Sequence, residues 1–593
     1  MARSLRLPAL PGFGVRGDRK HRVDMLPRVM VGLVCAASTI ILGLVLMMIW
    51  MSFYKELDDI LDFSFNFSLV NYVSVLTDPF NLRVLIDTLL FAIIAVLVAG
   101  FFGVPAAWLA ERTDMPGKTA LFTFMTIGLL IPGFTVAMGW VFLLSERIGI
   151  INHFLKNLFG LSEAPFNIAT ILGMGCVEGV ALAPLTFVMT AALFRSMDPS
   201  LEEASYASGS NVLQTFRRVT LPLIWPGIMA AAIYAFIIGF AAFDIPAIIG
   251  WSNRIYTFST ILYIFVNSDS ELPNYGYAAA MGAVMIPLAI LLSWWYTRMQ
   301  RNVARYQVIT GKGYRPRLIK LGRGVYLAWG FLVVYLCLGQ VVPMAALVWS
   351  SLLSFFQQPS LRAVKSLSLR NYEELPWELI ATGAKNTAIL VVLAPTIVLV
   401  LSLAFSWVVL RSRIRHRAIF DFFAFLPHAI PNIIFAIGLL LTSLFVFKDY
   451  LPVYGTIWLI LIGFVIVRLS YGTRMMNGAL IQVHRELEEA SYISGSRTWG
   501  VFRTVLIPLL SPAMMYAWLW IALLSYRELT MATVLGGPES STLSMVVFGL
   551  WTVGGMGTSS ALTVIVVLCL APLLALYWYI SRKANVIREE HGA

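Results

Sequence analysis

Two short acidic stretches are the most distinctive chemistry in this chain. Glu202-Glu203-Ala204, with Gly209 and Pro222 beyond it, returns as Glu488-Glu489-Ala490 with Gly495 and Pro508. The surrounding segments, 201–226 and 487–512, are identical at 15 of 26 positions. Neither stretch gathers the clustered His, Cys or carboxylate groups a membrane enzyme would need. What they offer is an acidic, small-residue surface that a helix or groove of another protein can approach closely. A second set of ionisable residues lies inside otherwise apolar stretches: Glu178, Asp244, Arg468, Arg527 and Glu528. Charges at membrane depth are costly and face a partner or an aqueous path. Glu178 and Arg468 lie at matching places in the two halves of the chain, about one helical turn apart after superposing the repeat, and are expected to pair across the interface. Asp244 and the pair Arg527-Glu528 sit where Pro or Gly interrupts apolar sequence, as in broken helices that line a substrate path. Their carboxylates suit a hard cation, a polar organic substrate or a salt bridge equally. His428 has no second ligand near it in a coordinating pattern and reads as a packed or interfacial residue.

The elements that position these groups follow from composition. The 593 residues are 59% hydrophobic and 12% charged, with a mean hydropathy of +0.80, which marks an integral membrane protein. A bilayer core needs roughly 20 apolar residues in helical form. Twelve such runs are expected, near 28–52, 85–110, 119–144, 168–194, 223–249, 276–298, 324–350, 384–410, 418–446, 455–480, 510–536 and 558–580. Most of the 43 Lys and Arg residues fall on one side if the N-terminus is inside, so both termini are expected in the cytoplasm. The formal charge of +12 is therefore spread over membrane flanks, which argues against nucleic acid as a partner. The four cysteines lie far apart within spans, with no ligand-like spacing.

The chain is a tandem duplication. The acidic stretches are offset by 286 residues, Asn71-Tyr72 is echoed by Asn371-Tyr372, and LLIPG (129–133) by AFLPH (424–428). Six spans per half place the halves parallel. The expected fold is an all-α membrane protein of about twelve transmembrane helices in two six-helix repeats: a basic tail over 1–27, a first unit over 28–298, a basic linker over 299–323, a second unit over 324–581 and a tail over 582–593. Both acidic stretches then fall between the fourth and fifth span of their half. Each is expected to form a helix, a glycine turn, and a second short helix ended by Leu221-Pro222 or its counterpart. The first copy has helix-starting devices, Ser200 with Glu203 and Asp198-Pro199, which the second copy lacks at Val483-His484-Arg485. What the two copies share is the acidic surface, not the means of starting a helix.

The pattern Glu203-Ala204-Ser205, Gly209, Val219-x-Leu221-Pro222, repeated as Glu489-Ala490-Ser491, Gly495, Val505-x-Ile507-Pro508, resembles the cytoplasmic signature of binding-protein-dependent ABC importer permeases. The departures are Ser for the second Ala, Val for Ile, and Ile507 for Leu. The resemblance covers both halves. It implies a bacterial inner-membrane permease whose repeated segments seat in two ABC ATP-binding subunits, fed by a periplasmic binding protein and working by alternating access. ATP and magnesium would then be held by those partners. This chain has no phosphate-binding loop: Pro116-Gly117-Lys118-Thr119 has Arg112 at the first glycine position, and Gly311-Lys312-Gly313 lacks the Ser or Thr. The fused form and the stretch 527–551 look like the ferric-iron branch. Thiamine, aminoethylphosphonate and polyamine importers remain open, as does an ion-gradient transporter in which Glu178 or Asp244 carries protons. The loops after the second span of each half, ERTDMPGK and RSRIRHRA, lack the pattern expected of that last class.

Overall fold

A computed structural model describes residues 24–55, 67–198, 200–267, 273–306 and 318–590. The tail up to residue 23, Pro199 and the linker over 307–317 lie outside them. Among the described residues, ten helices are long and apolar enough to cross a membrane, and two bent helix pairs bring the number to twelve. In the first half these are Met25–Met51, Pro79–Arg112, the pair Lys118–Leu130 with Gly133–Leu144, Ile171–Ser196, Val212–Ala241 and Tyr275–Met299. In the second they are Gly324–Ser351, Trp377–Arg411, the pair Arg417–His428 with Asn432–Val446, Ile457–Gln482, Thr498–Tyr526 and Met556–Leu573. Large apolar side chains such as Leu97, Phe101, Leu291 and Val400 stay exposed on their outer faces, as lipid contact requires.

The third and ninth spans bend by 93° and 101°. The cause is local. Pro132 and Pro431 have no N–H to donate, and each forces the residue before it, Ile131 or Ile430, into extended backbone. The true echo of Ile131-Pro132 is therefore Ile430-Pro431, four residues beyond the Pro427 that the sequence pattern suggested. The repeat offset is 299 here and 286 from the fourth span onward, because the first half holds an extra helix, Ile150–Phe159, between them.

The fifth and eleventh spans were expected near 223–249 and 510–536, with the character of broken helices around Asp244 and Arg527-Glu528. They stop at Ala241 and Tyr526. Short helical pieces follow, Pro246–Gly250 and Phe258–Val266 in one half, Thr530–Leu535 and Leu543–Thr552 in the other. Asp244 and Arg527-Glu528 lie in the breaks.

The halves interlock. Met25–Met51 packs on the Trp377–Arg411 span and on both arms of the second bent pair, while Val342–Ser351 packs on Gly133–Leu144. Both crossings are tight enough to need glycine: a Cβ on Gly139 would lie 2.5 Å from the Pro343 carbonyl oxygen, and one on Gly438 2.9 Å from that of Leu44. The other echo is a clamp. Asn71 donates to the carbonyls of Ser52 and Tyr54 (3.1 and 2.7 Å), and Asn371 to those of Ser351 and Leu353 (2.9 and 2.7 Å). Tyr72 and Tyr372 bond the hydroxyls of Ser52 and Ser351. Each clamp satisfies carbonyls that the end of a first span leaves bare.

Candidate functional site

Each acidic segment is a short helix, a turn and a second helix that enters the membrane. The first runs Ser200–Ala207, turns at Gly209 with φ at 85°, and restarts at Val212–Thr215. The second runs Arg485–Ile493, turns at Gly495 with φ at 88°, and restarts at Thr498–Val501. Glycine is required at both turns because a side chain there is strained in the left-handed region. The second helix does not end at Leu221-Pro222 as expected. It passes through a π turn, Phe216–Thr220 or Phe502–Leu506, straight into the next span. Pro222 and Pro508 sit in the first turn after it, where the wider turn accommodates a residue with no N–H to give. At the first helix, the Asp198 carboxylate accepts from the Ser200 amide at 2.9 Å.

The two glutamates of each pair face opposite ways, which corrects the expectation of one exposed acidic surface. Glu202 is buried, accepting from the Thr220 hydroxyl at 2.6 Å, with Arg112 Nη1 at 3.6 Å. Glu488 is buried against Arg411, whose Nε donates to it at 2.6 Å. The arginines end the second and eighth spans, and each also holds the turn after the next-but-one span: Arg112 donates to Met197 O at 3.2 Å, and Arg411 to Leu480 O and Val483 O at 3.0 and 2.8 Å. Glu202 and Glu488 thus brace the segment against the membrane domain. Glu203 is half-buried and Glu489 exposed; neither has a hydrogen-bond or ion-pair partner among the described residues. They sit beside exposed Ala204 and Ala490, with open space around Gly209 and Gly495. The bracing arginines were missed in the sequence, although their 299-residue spacing matches that of Ile131-Pro132 and Ile430-Pro431.

The intramembrane charges converge. Glu178, Asp244, Arg468, Arg527 and Glu528 all line one cavity of about 200 Å³, drawn from both halves, together with His428, Tyr471 and Asn432. The expected Glu178–Arg468 pair is not formed. Arg468 instead pairs with Glu528 and donates to Leu524 O at 3.1 Å. The break after Tyr526 frees the backbone to carry Glu528 to an arginine of its own half. Arg527 crosses to the first half, its Nη1 donating to Leu129 O at 2.6 Å. Asp244 packs against Gly133, where a Cβ would lie 3.2 Å from a carboxylate oxygen. Glu178 is within electrostatic reach of Asp244 and Arg527, and neither Glu178 nor Asp244 has a hydrogen-bond partner among the described residues. His428 stacks on Tyr234 with centroids 4.8 Å apart and meets the edge of Tyr471 at 5.2 Å, as a packed residue would. Its buried Nε2 nevertheless has no hydrogen-bond partner among the described residues. No signal in the sequence placed it at the cavity, because the bend at Ile430-Pro431 brings it there. Among the described residues no three His, Cys, Asp or Glu groups are arranged to hold a metal ion.

A second cavity, about 520 Å³, lies between the short pieces of the two halves and is lined by Trp251, Tyr263, Phe548 and Trp551 with Asn267 and Ser541. Phe243 lines the first cavity and meets Tyr263 and Phe548 of the second at 5.4 and 6.1 Å. A layer of aromatic rings therefore separates the two.

Residues 100–305 and 399–586 each match the family described as binding-protein-dependent transport system inner membrane component. The chain belongs to that family. This permease carries the unit twice, in the MetI-like form, and is a multi-pass inner-membrane subunit of an ABC importer. It is 26% identical over 456 residues to the putative ferric transport system permease protein FbpB 1 of Haemophilus influenzae, covering 75% of this chain and 68% of the relative. It is also 26% identical over 455 residues to the ferric transport system permease protein FbpB of Actinobacillus pleuropneumoniae, covering 75% of this chain and 63% of that one. A single-unit relative, the sulfate transport system permease protein CysT of Salmonella typhimurium, is 27% identical over 241 residues, covering 40% of this permease and 83% of the relative.

Proposed function

We propose that this permease imports ferric iron, driven by ATP hydrolysed with magnesium on two ABC ATP-binding subunits that seat against the Glu203 and Glu489 faces. A periplasmic binding protein delivers the cargo, both termini lie in the cytoplasm, and the path alternates between inward and outward access. The names of the relatives leave a metal cation and an oxyanion both open. The observation that favours the cation is which cavity groups remain uncommitted. Both guanidinium groups are engaged by protein acceptors, Arg468 by Glu528 and Leu524 O, Arg527 by Leu129 O. Among the described residues, Glu178, Asp244 and the His428 Nε2 are left without hydrogen-bond partners, against one buried guanidinium donor, the Arg468 Nε, that is also unpaired. Carboxylate oxygens and an imidazole nitrogen are Lewis bases suited to a hard cation, whereas an oxyanion needs free donors.

The test is uptake by proteoliposomes holding the permease, its ATP-binding subunits and its binding protein. Glu178→Gln with Asp244→Asn should abolish radiolabelled ferric iron uptake while the chain still inserts and assembles. Normal iron uptake by that variant, or uptake of sulfate by the parent, would overturn the reading. A Glu203→Ala/Glu489→Ala variant should insert normally yet fail to link ATP hydrolysis to uptake.

A further inference from the structure

The two segments restart their second helices by different means. In the first, the cap is internal: the Asn211 side chain accepts from the Gln214 amide at 2.9 Å, and the Gln214 side chain accepts from the Asn211 amide at 3.1 Å. In the second, the equivalent residue is Arg497, whose side chain makes no capping bond. The cap is supplied from 474 residues away, where Asp24 Oδ2 accepts from the Thr498 amide at 2.7 Å. Asp24 is also the N-cap of the first span, its Oδ1 accepting from the Leu26 amide at 3.4 Å. One carboxylate thus closes two helix N-termini, both of which favour negative charge. Burial pushes the Asp24 carboxyl upward, but the Thr498 side chain and amide, the Leu26 amide and the Arg497 charge together hold it below its ordinary value.

The first span belongs to the first half by sequence and packs on its Tyr275–Met299 span, but it also packs on the second half, against the Trp377–Arg411 span and both arms of the second bent pair. Its counterpart is fastened elsewhere. Ahead of Gly324, Ile319 accepts from the Asp114 amide at 3.0 Å and the Leu321 amide donates to Asp114 Oδ1 at 2.9 Å. That joins the loop after the second span, not an acidic segment. We infer that Asp24 is a positioning residue that ties the first span to the second docking segment, so that a displacement of this segment carries the first span with it. Among the described residues the first segment has no such tie, which makes the two inequivalent in transmitting the motor's movement. The inference rests on the reading that the segments dock on ATP-binding subunits.

The experiment compares Asp24→Ala, Asp24→Asn, Asp24→Ala/Arg497→Asn and Glu489→Ala in the reconstituted complex, reading two quantities. Hydrogen exchange at residues 498–501 reports the cap, and iron moved per ATP hydrolysed reports the tie. Losing an N-cap should raise exchange about fivefold in Asp24→Ala, with a fall in iron per ATP. Asp24→Asn keeps an acceptor for the Thr498 amide and should stay close to the parent in both. Arg497→Asn rebuilds an internal cap like that of Asn211, so the double variant should regain protection without regaining iron per ATP. Recovery of both would make Asp24 a cap and nothing more, overturning the inference. So would an unaffected Asp24→Ala alongside an uncoupled Glu489→Ala, which leaves the docking reading standing. A fully coupled Glu489→Ala would sink the docking reading and this inference with it.

Discussion

Adjacent residues Glu488 and Glu489 should respond to alanine in opposite ways. Glu488 accepts a 2.6 Å charged hydrogen bond from Arg411, with side chains only 7% and 10% exposed. A hydrogen bond to a charged group contributes about 1.5–3 kcal/mol, and stripping one partner from a buried pair costs about 3–5 kcal/mol. Arg411 keeps two carbonyl acceptors after the change, which places Glu488→Ala near the lower figures, about 2–3 kcal/mol. That raises the population of a detached segment about 30- to 150-fold. Glu489 is exposed and has no partner among the described residues, so its removal should move segment stability by less than about 0.5 kcal/mol. Hydrogen exchange over 485–506 in the detergent-solubilised permease measures both. The Arg411→Ala/Glu488→Ala double variant should be no less stable than Arg411→Ala alone, since Glu488 is then no longer a stranded charge, and its loss should fall short of the sum of the singles. Equal exchange in Glu488→Ala and Glu489→Ala, or additive losses in the double variant, would refute the division into a bracing and a docking glutamate.

Gly139→Ala forces a methyl against the Pro343 carbonyl where the halves cross, and should lower thermal stability by about 1–3 kcal/mol; Gly100→Ala, with open space around it, serves as the control. Glu528→Gln strands Arg468 in the cavity and should reduce folded protein in the membrane, whereas Arg468→Met/Glu528→Met should recover folding without recovering uptake, checked by fluorescence-detected size exclusion. Gly495→Ala should destabilise its turn by about 1–2 kcal/mol although nothing crowds the site, because the strain is in the backbone. Gly478→Ala, in a helix interior with equal room, should instead stabilise by up to about 1 kcal/mol in the same melting assay.

The spans and the duplication were legible because both are written in contiguous sequence: apolar run length gives one, and LEEASY repeated at 286 gives the other. The residues of the cavity were legible singly, since an ionisable group in an apolar run stands out. Their partners were not. Glu528 reaches Arg468 only because the helix stops at Tyr526, and no helical register predicts a contact across a break. Likewise His428 comes to the cavity through the bend at Ile430-Pro431, and a contiguous pattern does not say which way the chain turns there. The inward face of Glu202 and Glu488 required Arg112 and Arg411, 90 and 77 residues upstream, and a pattern within the segment cannot reveal which of two adjacent carboxylates meets them.

The π turns at Phe216–Thr220 and Phe502–Leu506 also set an azimuth. A π turn holds about one residue more than an α turn, so everything beyond it is rotated by about 100° relative to an uninterrupted helix. Beyond these turns run the spans that deliver Asp244 on one side and Arg527 with Glu528 on the other. Because both copies carry the same phase advance, the two walls of the cavity keep matched headings. Deleting one residue from a single turn would leave its helix continuous and its proline in place, yet swing that wall's polar end toward lipid.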